Sequence, residues 1–146
     1  RDVQGPDVPT FELGGATVRV IAGQSHGTAG AVQRPHTEPL YLDVHLPAGR
    51  SFEQALPASH NAFVYVYEGA LQWPNGCRVP AGRMAVLANT AGSDGVRLQA
   101  SDTDTRALLI AGQPLGEPIA QYGPFVMNTE AELLQAVRDF QTGRLA

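Results

Sequence analysis

The sequence predicts an all-β chain, an antiparallel sandwich or barrel, with one α-helix at its C-terminal end. Three observations carry this. Short alternating apolar segments recur (TVRVIA at 17–22, LYLDVHL at 40–46, NAFVYVYE at 61–68), rich in the β-branched and aromatic residues that suit a pleated surface. Pro, Gly and Asn punctuate them, with 16 Gly and 11 Pro among 146 residues. Only the stretch 129–141 has helical periodicity, so the strand–helix alternation of a parallel sheet is missing. A run of hairpins buries one face per strand and needs a second sheet to cover it.

The length suits a single domain able to bury a real core, and the 43% hydrophobic content is ordinary for a globular chain. A net charge of −4 gives no electrostatic case for nucleic acid. All ten basic residues are Arg, which reads as a habit of composition and not as a site. A single Cys excludes an internal disulfide or a multi-Cys zinc site, and Cys77, after a turn glycine, reads as an inert strand residue. No apolar run reaches membrane-span length, and the opening RDVQGPDVPTF is unlike a signal peptide. A cytoplasmic protein with no direct nucleic-acid or membrane partner is expected.

Residues 1–16 are polar and Pro/Gly-rich and read as a lead-in or linker remnant; an opening on Arg1 suggests a chain cut or trimmed from something longer. The strand at 17–22 leads into a long loop, 23–39, holding His26 and His36. In 40–46, Leu42, Val44 and Leu46 share one face, while Tyr41, Asp43 and His45 share the other, wet face. Asp43 and His45 are therefore read as an outward strand pair. Asn61 to Glu68 ends at Gly69, Ala70 to Trp73 restarts, and Pro74-Asn75-Gly76 and Pro80-Ala81-Gly82 turn the chain into Met84 to Ala88. Two further strands, 96–100 and 106–111, flank the loop SDTDT at 101–105, read as a solvated turn and not a cation site. Residues 113–128 are extended and carry three prolines.

The helix has the clearest local signature. Thr129-Glu130-Ala131-Glu132 is a capping box, in which hydroxyl and carboxylate satisfy each other's backbone amides. Leu133, Val137 and Phe140 form an apolar stripe with Leu134 beside it, Gly143 stands at the C′ position, and Arg138 and Arg144 suit the negative helix end. The stripe predicts docking on the barrel, giving residues 17–128 as barrel and 129–143 as a packed terminal helix.

The turns of residues 49–89 also keep a recognisable frame. Their Gly and Pro spacing resembles the cupin superfamily, whose first motif is Gly, five residues, His-x-His, three or four residues, Glu, six residues, Gly. Gly49 and Gly69 keep that frame; the His positions then fall on Ala55 and Pro57 and the Glu position on Ala62. In the second motif Pro80, Gly82 and Asn89 hold their places and the His position falls on Ala85. A methyl group or a pyrrolidine ring cannot coordinate a metal, which needs converging imidazole nitrogens or carboxylate oxygens. By strand parity Ala62, Val64 and Val66 face one way, with Ala85 and Leu87 expected to face them, so the interior reads as packed solid or a small dry cavity. His60 has the parity of Ala62 but no second ligand at ligand spacing. With Glu53, Asn61 and Arg83 it is placed at the rim of a candidate pocket. No nucleophilic triad, phosphate loop or dinucleotide fingerprint is present.

The last third sharpens the resemblance. AGQPLGEPI at 111–119 and QYGPFVMNT at 121–129, followed by Gln135-Ala136 and Asp139-Phe140, look like the hallmark of the C-terminal half of pirin-family proteins; YLDV at 41–44 and NAFVYV at 61–66 are similar too. The resemblance runs from about Val18 to Gly143 and implies a cupin (RmlC-like) jelly-roll β-sandwich or barrel. Pirin-like proteins are bicupins. Their N-terminal domain holds iron with three His and one Glu; their C-terminal domain is usually metal-free. The resemblance thus implies no catalytic residue, metal or cofactor here, with iron only in an N-terminal cupin outside this chain. It also implies that cupin as the partner, and an apolar docking patch through which an isolated fragment could pair with a second copy. Family members are associated with quercetin 2,3-dioxygenase activity and transcriptional co-regulation. The alternatives are a quercetinase-type oxidoreductase, as part of the parent protein, and a small-molecule-binding module.

Overall fold

The computed structural model describes residues 3–90 and 92–144. After a 3-10 turn at Gly5–Asp7 come β1 (Thr10–Leu13), β2 (Ala16–Ala22), β3 (Gln24–Ser25), β4 (Thr28–Ala29), β5 (Leu40–Leu46), β6 (Ser51–Ala55) and β7 (Asn61–Glu68). Then follow β8 (Ala70–Gln72), β9 (Arg78–Pro80), β10 (Arg83–Val86), β11 (Gly95–Gln99), β12 (Thr105–Gly112), β13 (Ala120–Tyr122), β14 (Phe125–Met127) and α1 (Glu130–Gln141). This succession of short strands fits the jelly roll that the resemblance implies. Two compact units divide the chain, Arg1–Pro114 and Leu115–Ala146.

In the first unit an antiparallel six-stranded sheet runs in the order β1-β2-β5-β12-β7-β10. Alternation sets its faces: β2 and β5 bury every second residue, and β12 buries Thr105, Ala107, Leu109 and Ala111. Phe52 of β6, Leu71 of β8 and Leu98 of β11 complete one apolar core with them. The pairs β6–β11 and β8–β9 supply that second layer. Gly69, at the corner between β7 and β8, has φ +73, and a Cβ there would run into the Asp104 carbonyl and Thr105. Only glycine lets β7 turn that corner.

The lead-in expected over 1–16 holds a strand: Thr10–Leu13 pairs with Ala16–Ala22, while Arg1 and Asp2 lie outside the described residues. β1 is an edge strand with mostly exposed side chains, so apolar alternation does not mark it. β6 escaped the pattern for another reason: Gln54 occupies an inward position. Cys77 is exposed in the turn before β9 and not within a strand. The loop at 101–105 is a structural turn, with Asp104 Oδ1 accepting from Ala48 N–H at 2.9 Å and the buried Thr105 hydroxyl donating to Ala70 O at 2.9 Å.

In the second unit α1 packs on the hairpin β13–β14, which the prolines of 113–128 concealed. The helix, expected to dock on the barrel, thus has a packing partner within its own unit. Both halves of the capping box are present, the Thr129 hydroxyl accepting from Glu132 N–H and the Glu132 carboxylate accepting from Thr129 N–H at 2.9 Å. Leu133 and Ala136 are the buried positions of α1, while Phe140, placed on the apolar stripe, is largely exposed and meets Phe125 edge-on at 5.9 Å.

Candidate functional site

The jelly-roll interior comes first, because a cupin holds its metal there. Ala62, Val64 and Val66 of β7 are buried against Ala107, Leu109 and Ala111 of β12 and Leu42 and Val44 of β5. Ala85 pairs with Val64 in the ladder, so it lies beside that strand on the same face of one sheet; the expectation that it faces β7 from the other layer is not met. Pro57 and Ala62 share a recess of about 50 Å³ with Leu87 and His60. Ala55 is exposed on β6, opposite Gly95. None of Ala55, Pro57, Ala62 and Ala85 offers a donor atom, so these positions do not fit an iron held by three His and one Glu. Among the described residues no three His, Cys, Asp or Glu side chains gather.

The four rim residues are not brought together. Glu53 is exposed on β6 and forms an ion pair with Arg97 at 3.7 Å. Asn61 accepts from the Asn89 side chain at 2.8 Å. Arg83 opens β10, exposed, with Val66 as its ladder partner. His60 is buried, and its Nε2 stands 3.3 Å from Glu38 Oε2.

Glu38 also lines a cleft that takes in two of the lost ligand positions, Ala55 and Pro57. This cleft, of about 450 Å³, lies between the 33–39 loop, β6 and His60, with Arg34, Glu38, Gln54 and His60 on its wall. Gln54 is 7% exposed; its Oε1 accepts from Ser25 Oγ at 2.6 Å and its Nε2 donates to Ala55 O at 2.9 Å. The Ser25 hydroxyl has one proton, spent on Gln54. At the 3.1 Å contact with His26 the donor is therefore His26 Nδ1–H. The His26 ring also packs on Phe11 and Phe52, with centroids 5.6 and 5.3 Å away. Glu38 holds a left-handed backbone at φ +41, uncommon outside glycine.

The outer face of the large sheet is apolar at one end and polar at the other. Phe63 lies between Ile110 and Val86, and Tyr65 between Leu108 and Met84. Val86 is 75% exposed and Met84 57%. Further along, Tyr67 donates to Asp43 Oδ1 at 2.7 Å, and Arg106 pairs with Glu68 at 3.4 Å. Partial burial first, then the hydrogen bond and charge of Asp43, push the Tyr67 phenol up to about 12. Asp43 is thus engaged by Tyr67 on the outward face that the strand pattern assigned it.

Comparison with known proteins agrees with the fold. The family model of the pirin C-terminal cupin domain matches residues 41–146. A Pseudomonas aeruginosa protein bearing the provisional name quercetin 2,3-dioxygenase is 44% identical over 153 residues, covering 100% of this chain and 52% of its own. Rat pirin is 34% identical, covering 99% of this chain and 50% of its own. The crystal structure of an Acinetobacter baumannii quercetin 2,3-dioxygenase superposes with a TM-score of 0.82 at 34% identity, over 99% of this chain and 49% of that one. The chain spans about half the length of the curated relatives it matches.

Proposed function

The chain belongs to the pirin C-terminal cupin domain family, and from that premise we propose that it is the metal-free, non-catalytic half of a two-cupin protein. Its partner is an iron-bearing N-terminal cupin outside this chain. One observation carries the reading: the turn frame of a cupin is kept, while Ala55, Pro57, Ala62 and Ala85 stand where the metal ligands belong.

Two features support the docking role. The relatives are about twice as long. Large apolar side chains are exposed on both units: Met84 and Val86 on the first, Ile119 (80%), Tyr122 and Val126 on the second. Oxidation of a flavonol, after the names of the relatives, is proposed for the whole protein and assigned to the iron-bearing half. Among the described residues no helix is long and apolar enough to cross a membrane. The proposal includes a cytoplasmic setting, which a single Cys suits.

Metal analysis and quercetin turnover test it together. The purified chain is expected to hold no stoichiometric iron, manganese or zinc and to leave quercetin unchanged, and the full-length protein to turn it over. Turnover by this chain alone, abolished by a chelator, overturns the reading.

A further inference from the structure

We propose that the cleft between the 33–39 loop and β6 binds a small carboxylate carrying several hydroxyl groups. Its volume of about 450 Å³ falls in the range of small-molecule sites. Arg34 lies on its wall and has no ion pair among the described residues, so a guanidinium is available for a carboxylate.

The floor is polar and built. Gln54 and His60 are each more than nine-tenths buried, at 7% and 8% exposure, and both line the cleft. Burying such groups is unfavourable unless their hydrogen bonds are made. Ser25 and the Ala55 carbonyl fix the Gln54 amide, and Glu38 fixes the His60 ring. That leaves Nδ1 of His60 without a protein partner among the described residues, and the second Nε2 hydrogen of Gln54 unassigned; no buried side-chain nitrogen or oxygen among those residues lacks a partner, so Nδ1 is open to solvent and to a ligand. These groups match hydroxyls, which both donate and accept. Glu38, in its left-handed conformation, adds a carboxylate acceptor at the edge. Pro35, Pro39 and Pro57 supply apolar walls suited to the C–H faces of a polyol.

With Glu38 and His60 alone as metal-ligating types, the cleft is too poor in ligands for a metal centre. All of its lining residues belong to the first unit, Arg1–Pro114.

Titration of the purified chain with D-glucuronate and with D-gluconate, followed by calorimetry and by the histidine ring signals in NMR, tests it. At least one should saturate below about 10 mM. Glucose, which lacks the carboxylate, and acetate, which lacks the hydroxyls, should bind weaker by about tenfold or more. Arg34→Ala, at an exposed position, should weaken the acid about tenfold and leave glucose unchanged, and His60→Gln should weaken both. No saturation by either acid, equal binding of glucose, or an unchanged Arg34→Ala affinity overturns the proposal.

Discussion

Phe52 and Gln54 leave β6 on the same side, two residues apart, and both are buried. Phe52 belongs to the apolar core and meets the rings of Phe11 and His26. Gln54 ends on Ser25, which lies 29 residues away in sequence. One strand thus serves two interiors. The first is hydrocarbon, held by packing density, where any shape that fills the space is tolerated. The second is a polar floor, where every group depends on its partner and the loss of one leaves another unsatisfied. The polar floor belongs to a cleft whose wall includes Ala55 and Pro57, two of the positions where the cupin frame places metal ligands.

The two interiors should fail differently under substitution. In the hydrocarbon core, Leu109→Ala leaves a cavity and should destabilise the chain by about 2–5 kcal/mol in urea denaturation. A loss below about 1 kcal/mol would show that the core is loosely packed. Gly69→Ala drives a methyl into the Asp104 carbonyl at an unfavourable φ and should lower stability by about 1–3 kcal/mol. On the polar floor, Ser25→Ala strands Gln54 Oε1 and should remove about 1–3 kcal/mol. Adding Gln54→Leu should restore much of that loss, because removing both partners turns the polar floor into an apolar one. Failure of the double variant to recover would show that the two interiors obey the same rules.

Away from both interiors the effects shrink. Thr129→Ala breaks the capping box and should reduce stability by about 1 kcal/mol, with reduced helical circular dichroism. Tyr67 should titrate near pH 12 by tyrosinate absorbance, above the ordinary phenol value of 10. Its folded pKa is raised, so its stabilising contribution is intact below pH 10 and is lost as pH climbs toward 12. Asp43→Asn should move that titration back down, and no change would remove Asp43 as a cause of the shift.

The sequence carried the apolar interior more clearly than the cleft, for a physical reason. Strand parity and turn glycines are local, so Ala62, Val64 and Val66 could be assigned to the core, and Gly49, Gly69 and Gly82 to turns, without any tertiary contact. The helix start is equally local, because Thr129 and Glu132 satisfy each other within one turn. Glu38 is the opposite case. It reaches His60 through a loop with a left-handed backbone, and neither periodicity nor spacing encodes that meeting. Gln54 did give a signal, a polar residue at the parity of Phe52, but it identifies no partner until Ser25 is placed beside it. Of the candidate rim, Glu53 pairs with Arg97 and Asn61 with Asn89, meetings that the sequence pattern does not encode.

The β8–β9 turn has a practical consequence. The sequence has one Trp and one Cys, and this turn holds both: the Trp73 backbone N–H donates to Cys77 O at 2.9 Å, and its indole donates to Arg97 O at 2.9 Å. The thiol is exposed. A dye attached there would sit beside the chain's only indole fluorophore, with no competing label or second donor of that kind. The two stand four residues apart, about 14 Å at full extension, so a contact quencher is the useful label: the indole would brighten as this one hairpin opens, and the domain carries its own optical gauge for local unfolding.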